Sequence, residues 1–83
     1  MFLVTCTSTD DLHDDVSSLD VLKSFDCLHE ANAYAHYGYI IDEFGSCRHF
    51  EDVRRSVSHL RARTFCTDAH GGTLDIRVVE LTK

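Results

Sequence analysis

Along this 83-residue chain one stretch repeats its apolar residues with the period of a helix, and most of the rest alternates them with the period of a strand. The helical stretch is Asp26 to Phe44, DCLHEANAYAHYGYIIDEF. Leu28, Ala31, Ala35, Gly38 and Ile41 fall at steps of three and four and form one stripe. The middle of that stripe is small, and Cys27 and Tyr34 flank it on one side, Tyr37, Ile40 and Phe44 on the other. A narrow spine with bulky flanks predicts close packing on a flat partner, and a β-sheet is the flat partner the remaining chain can supply. Asp26 is the expected N-cap, Glu30 places negative charge in the first turn, and Gly45 supplies the left-handed stop.

Five strands are expected around this helix. Phe2 to Thr7 is rich in strand formers, and Val21 to Phe25 is a second short strand directly before the helix. The intervening segment Thr9 to Asp20, TDDLHDDVSSLD, reads as an Asp-rich solvent loop. After Gly45, residues 46–57 fit either period, since Phe50, Val53 and Val57 have helical spacing while Val53, Arg55 and Val57 also alternate; Ser56 and Ser58 and the short length favour a strand. The last two strands are plainer. Leu60, Ala62, Thr64 and Cys66 alternate against Arg61, Arg63 and Phe65, and Leu74, Ile76 and Val78 alternate against Asp75 and Arg77, with AHGG between them as turn material. The expected architecture is α+β in the order ββαβββ, a single helix packed on one face of a mainly antiparallel sheet, with residues 1–83 as one domain and the Asp-rich loop at 9–20.

Hydrophobic content of 43% and charged content of 27% are globular values, and a chain this short can hold only one core. No apolar run approaches the roughly 20 residues that span a bilayer, so no membrane role is expected. The opening residues MFLVTCTSTDD have no basic region and only a four-residue apolar run, unlike a secretory signal. An intracellular protein, cytoplasmic or nuclear, with reduced thiols at Cys6, Cys27, Cys47 and Cys66 is the expectation; a mature secreted chain would carry the same signature.

Charge divides the chain. Residues 1–50 hold nine acids against Lys23 and Arg48, a net of −7, whereas residues 51–83 hold five acids against five arginines and Lys83, a net of +1. One helix cannot cover both faces of a sheet, so the open face is expected to present Arg54, Arg61, Arg63, Phe65 and Arg77, with Asp75 among them. Guanidinium forks match carboxylates and phosphates, and an aromatic ring can stack. A single aromatic and a net charge of −6 argue against nucleic acid. The function expected is a protein-interaction module that binds a macromolecular partner, or itself as a homodimer, through the Arg-bearing sheet face or a sheet edge. In the homodimer, the acidic loop of one copy would meet the arginines of another. An alternative is an acidic decoy of a nucleic-acid-binding protein, acting through Asp10, Asp11, Asp14 and Asp15. These carboxylates lack the ligand order of an EF-hand calcium loop.

Four cysteines and six histidines also permit a metal-binding alternative, with Cys47, His49, Cys66 and His70 as the candidate ligands. Neither Cys47-Arg-His49 nor Cys66-x₃-His70 has the spacing of a zinc knuckle, and no cofactor is expected. The chain holds no phosphate-cradling glycine loop, nucleophile elbow or dinucleotide fingerprint, so a non-enzymatic role is expected.

Overall fold

The computed structural model describes residues 1–10 and 13–81, and it folds them into a five-stranded antiparallel sheet with one helix across one face. The strands are β1 (Phe2–Asp10), β2 (His13–Phe25), β3 (Phe50–Ser58), β4 (Arg61–Asp68) and β5 (Thr73–Glu80), in the spatial order β2-β1-β5-β4-β3. The expected order ββαβββ is the observed one. The helix carries the chain from the β2 edge to the β3 edge. Its 17 residues, 28–44, span about 25 Å, enough to cross four strand spacings totalling about 19 Å.

Within the stretch 9–20 the described residues, 9–10 and 13–20, are strand and not loop. β1 runs on to Asp10 and β2 starts at His13, eight residues earlier than the sequence suggests, so the segment is paired as a hairpin with Thr9 opposite Ser17 and Thr7 opposite Leu19. The aspartates obscured a strand whose apolar positions, Leu19 and Val21, alternate with Ser18 and Asp20. A register shift between Val4 and Thr5 makes Leu22 the extra residue of a bulge in β2.

Residues 46–57, ambiguous by period, form a short 3₁₀ turn at Cys47–His49 followed by β3. Cys66, Thr64 and Ala62 of β4 face the helix together with Val4 and Cys6 of β1 and Ile76 and Val78 of β5, all at most 5% exposed. Ala31, Ala35 and Ile40 close the core from the helix side. Among the described residues the only buried polar side chain is Thr64, whose hydroxyl donates to the carbonyl of Ala35 at 2.8 Å, so the hydroxyl is satisfied inside an apolar layer.

That contact falls where the helix is irregular. α1 (Leu28–Ala33) and α2 (Tyr39–Phe44) are joined by a π turn at Tyr34–Gly38, in which the Tyr39 N–H reaches back five residues to the Tyr34 carbonyl. The wide turn lengthens one step of the buried stripe from four residues to five, from Ala35 to Ile40. Ile40 is therefore 1% exposed and Ile41, which regular helical spacing puts inside, is 52% exposed. Gly38 likewise serves a local need. A Cβ there would meet Cδ1 of Tyr34 at 2.9 Å, so glycine leaves room for that ring to lie along the helix. At the ends, Gly45 has φ +76° and stops the helix as expected, but the N-cap is Cys27 without a side-chain bond, not Asp26.

β3 and β4 are joined by a two-residue turn in which both His59 and Leu60 have positive φ, 52° and 65°. This is the backbone that Asn-Gly adopts readily and that a branched side chain resists. Asn32 of the helix braces it: its amide donates to the Leu60 carbonyl and its carbonyl accepts the Ala62 N–H, both at 2.9 Å. Leu60 is 76% exposed and has little packing to lose. Leu60→Gly is expected to stabilise the fold by about 0.5–1 kcal/mol, the left-handed strain removed less the added flexibility of glycine. Thermal melting of the variant beside the parent measures it, and an unchanged or lower midpoint would contradict the strain.

Candidate protein interface

With the helix on one side, the opposite face of the sheet is uncovered, and its composition follows from strand register. Residues flanking the buried ones along each strand point outward. One row across the sheet reads Leu19, Thr7, Asp75, Phe65, Arg54 from β2 to β3, and the next reads Val21, Thr5, Arg77, Arg63, Ser56. Leu3 of β1 and Val79 of β5, paired with each other, continue the face on one side, and Thr9 and Thr73, whose hydroxyls hydrogen-bond, continue it on the other.

Asp75 organises the centre. Arg63 binds its carboxylate through both Nε and Nη2, at 2.9 and 3.1 Å, and Arg77 reaches Oδ2 through Nη2 at 2.8 Å and Nε at 3.0 Å. The carboxylate side chain is only 15% exposed. Burial pushes its pKa up, but the hydrogen bonds and charges of Arg77 and Arg63 outweigh burial and hold it below the ordinary aspartate value. Arg77 is correspondingly raised by its hydrogen bond to Asp75. Beside this cluster, Arg54, Ser56, Arg63 and Phe65 line a shallow cleft of about 350 Å³, with the Arg63 guanidinium 5.9 Å from the Phe65 ring centre.

The structure thus gathers Arg54, Arg63, Phe65 and Arg77 on neighbouring strands of one face. Arg61 stands apart near the turn, paired with Glu80 at 2.8 Å. The arginines are not an unopposed basic patch, since Arg54 also pairs with Asp52 at 2.8 Å. Three carboxylates, Asp52, Asp75 and Glu80, offset these four arginines in part, with Asp75 shared between Arg63 and Arg77. What remains is a nearly charge-balanced surface of mixed apolar, aromatic and guanidinium character.

Sequence spacing missed the apolar half of this face. Leu19 and Val21 are 68% and 61% exposed and Val79 is 43% exposed. The signal was the alternation of Leu19 and Val21 within a segment whose aspartates made it read as loop. Of the acidic candidates, Asp11 and the side chains of Asp10, Asp14 and Asp15 lie outside the described residues.

The metal candidates separate. Cys66 is buried under the helix, where desolvation pushes its thiol pKa up to about 11. Cys47 accepts a hydrogen bond from Arg55 Nη2 at 3.4 Å, the His49 ring lies 5.6 Å from that of Phe44, and His70 sits in the β4–β5 turn, where its N–H donates to Asp68. Among the described residues no three histidine, cysteine or acidic side chains converge to hold a metal ion. All four cysteines are unpaired, and no helix is long and apolar enough to cross a membrane.

No protein-family model, curated protein or solved structure matches this chain. The fold and its open face therefore define it as a two-layer α+β domain with one uncovered sheet surface, and the functional reading rests on that surface.

Proposed function

We propose that the chain is a protein-interaction module that docks a partner protein on the uncovered face of its sheet. The observation that carries this reading is that the apolar Leu19, Val21, Leu3 and Val79 share with the Phe65–Arg63 pair, across Thr5, Thr7, Asp75 and Arg77, one face that no element among the described residues covers. Small proteins seldom leave large contiguous apolar surface to water, and aromatic and arginine residues are enriched where protein interfaces are buried. Charges tied to one another by Asp75 suit such a surface, because a partner can cover them without stranding a lone ion.

The face is favoured over the β3 edge. β3 carries Glu51, Asp52, Arg54 and Arg55 and a register shift between Phe50 and Asp52, features that discourage a further strand from pairing there. The unpaired thiols fit a reducing, intracellular setting.

A photo-crosslinking residue placed singly at Leu19, Val79 or Ile41 tests the proposal in cells that produce the protein. Leu19 and Val79 are expected to yield protein adducts, and Ile41, an equally apolar exposed position on the helix, is expected to yield none. Adduct patterns indistinguishable among the three positions would refute docking on the sheet face.

A further inference from the structure

Resting on that docking role, we propose that the occupant is a second copy of the chain, laid sheet to sheet about a two-fold axis in the interface plane and perpendicular to the strands. The axis passes between the row Leu19–Thr7–Asp75–Phe65–Arg54 and the row Val21–Thr5–Arg77–Arg63–Ser56.

The argument is one of self-complementarity. A two-fold contact presents one surface to itself, so each residue must suit the one that the symmetry brings opposite. Rotation about the chosen axis reverses strand direction and exchanges the two rows while keeping each strand over its own counterpart. Leu19 then meets Val21 of the second copy, Asp75 meets Arg77, and Phe65 meets Arg63, each contact occurring twice. Leu19 and Val21 cover each other, Leu3 and Val79 meet Thr9 and Thr73, carboxylates face guanidiniums, and guanidiniums face aromatic rings. The other in-plane two-fold, along β5, fails this test. It would place Asp75 on Asp75 and Arg77 on Arg77 and set Leu19 against Arg54. Of these two axes, register favours the one perpendicular to the strands.

Area is consistent with a stable pair. At about 4.8 Å between strands and 3.3 Å per residue, the five strands of 8 to 13 residues give the face an area on the order of 700 Å², close to the roughly 800 Å² per partner that a standard interface buries. Two sheets with one face covered by a helix and the other by each other form a four-layer dimer, with the facing sheets about 10 Å apart.

Sedimentation velocity, followed by isotope-filtered NOE spectroscopy on a mixture of labelled and unlabelled chains, tests the arrangement. The expected results are a dimer at roughly 100 µM and interchain contacts between the methyl groups of Leu19 and Val21. Val21→Glu should weaken association by more than about tenfold, because it sets a carboxylate against Leu19 of the other copy. Val57→Glu, at a position 62% exposed on the helix side of β3, should leave association unchanged. Interchain contacts joining Leu19 to β3 would overturn the axis. A monomer at every concentration, with cross-links from Leu19 to other proteins in cells, would sink the dimer and leave the docking role standing; a monomer without such cross-links would sink both.

Discussion

Ile40→Ala is expected to destabilise the fold by about 2–5 kcal/mol, and Ile41→Ala by no more than about 0.5 kcal/mol. The two residues are adjacent and identical, so the contrast isolates the geometry of the helix. Ile40 is 1% exposed and among the largest fully buried side chains, packed against the sheet with Ala31 and Ala35, whereas Ile41 is 52% exposed. Removing the Ile40 side chain beyond Cβ both forfeits its transfer from water and leaves a cavity between helix and sheet. Urea unfolding of the two alanine variants against the parent measures the difference. Comparable losses at the two positions would mean that the helix continues with regular spacing and that the π turn at Tyr34–Gly38 does not set its register.

The same pair marks the boundary of what the sequence makes legible. Helix existence, position and stop could be read from the stripe beginning Leu28, Ala31, Ala35 and from Gly45, since a regular helix converts spacing directly into a face. A π turn breaks that conversion at one step, and no single residue type announces it. The strands behaved likewise. Ala62, Thr64 and Cys66 alternate with Arg61, Arg63 and Phe65 because one face is dry and the other wet, so both the buried row and the arginine-bearing face were foreseeable. β2 was half hidden because its first residues are aspartates and serines. An edge strand with a water-facing surface does not need the β-branched, apolar composition by which strands are recognised. Its two outward apolar residues, Leu19 and Val21, were consequently lost with it, and with them the apolar half of the candidate interface. Spacing could bring arginines to one face. The β4–β5 hairpin already set Asp75 beside Arg63; spacing alone did not show that Arg77 and Arg54 also turn along their own strands to Asp75 and Asp52, because that depends on side-chain conformation.

That engagement makes Asp75 the second residue whose loss should be felt strongly. Arg63 and Arg77 are direct cross-strand partners on the open face, and like charges in that relation repel. The Asp75 carboxylate lies against both guanidiniums and turns the repulsion into a bridged triad. Asp75→Ala should destabilise the fold by about 1–2 kcal/mol, less than a deeply buried ion pair would, because the Arg63 and Arg77 side chains are 44% and 54% exposed and water screens them. Asp52→Ala, at a pair exposed on both sides, should cost no more than about 0.5 kcal/mol. The pH dependence separates charge from packing. Asp75 has a lower pKa folded than unfolded, so its stabilisation is fully present above the unfolded aspartate value of about 3.9 and is lost as pH falls through the folded value. The parent should therefore lose stability more steeply on acidification than Asp75→Asn, and the gap between them should close at low pH. Urea midpoints for both proteins across the acid range supply the measurement. Parallel curves would show that the carboxylate charge contributes nothing and that the triad is held by shape alone.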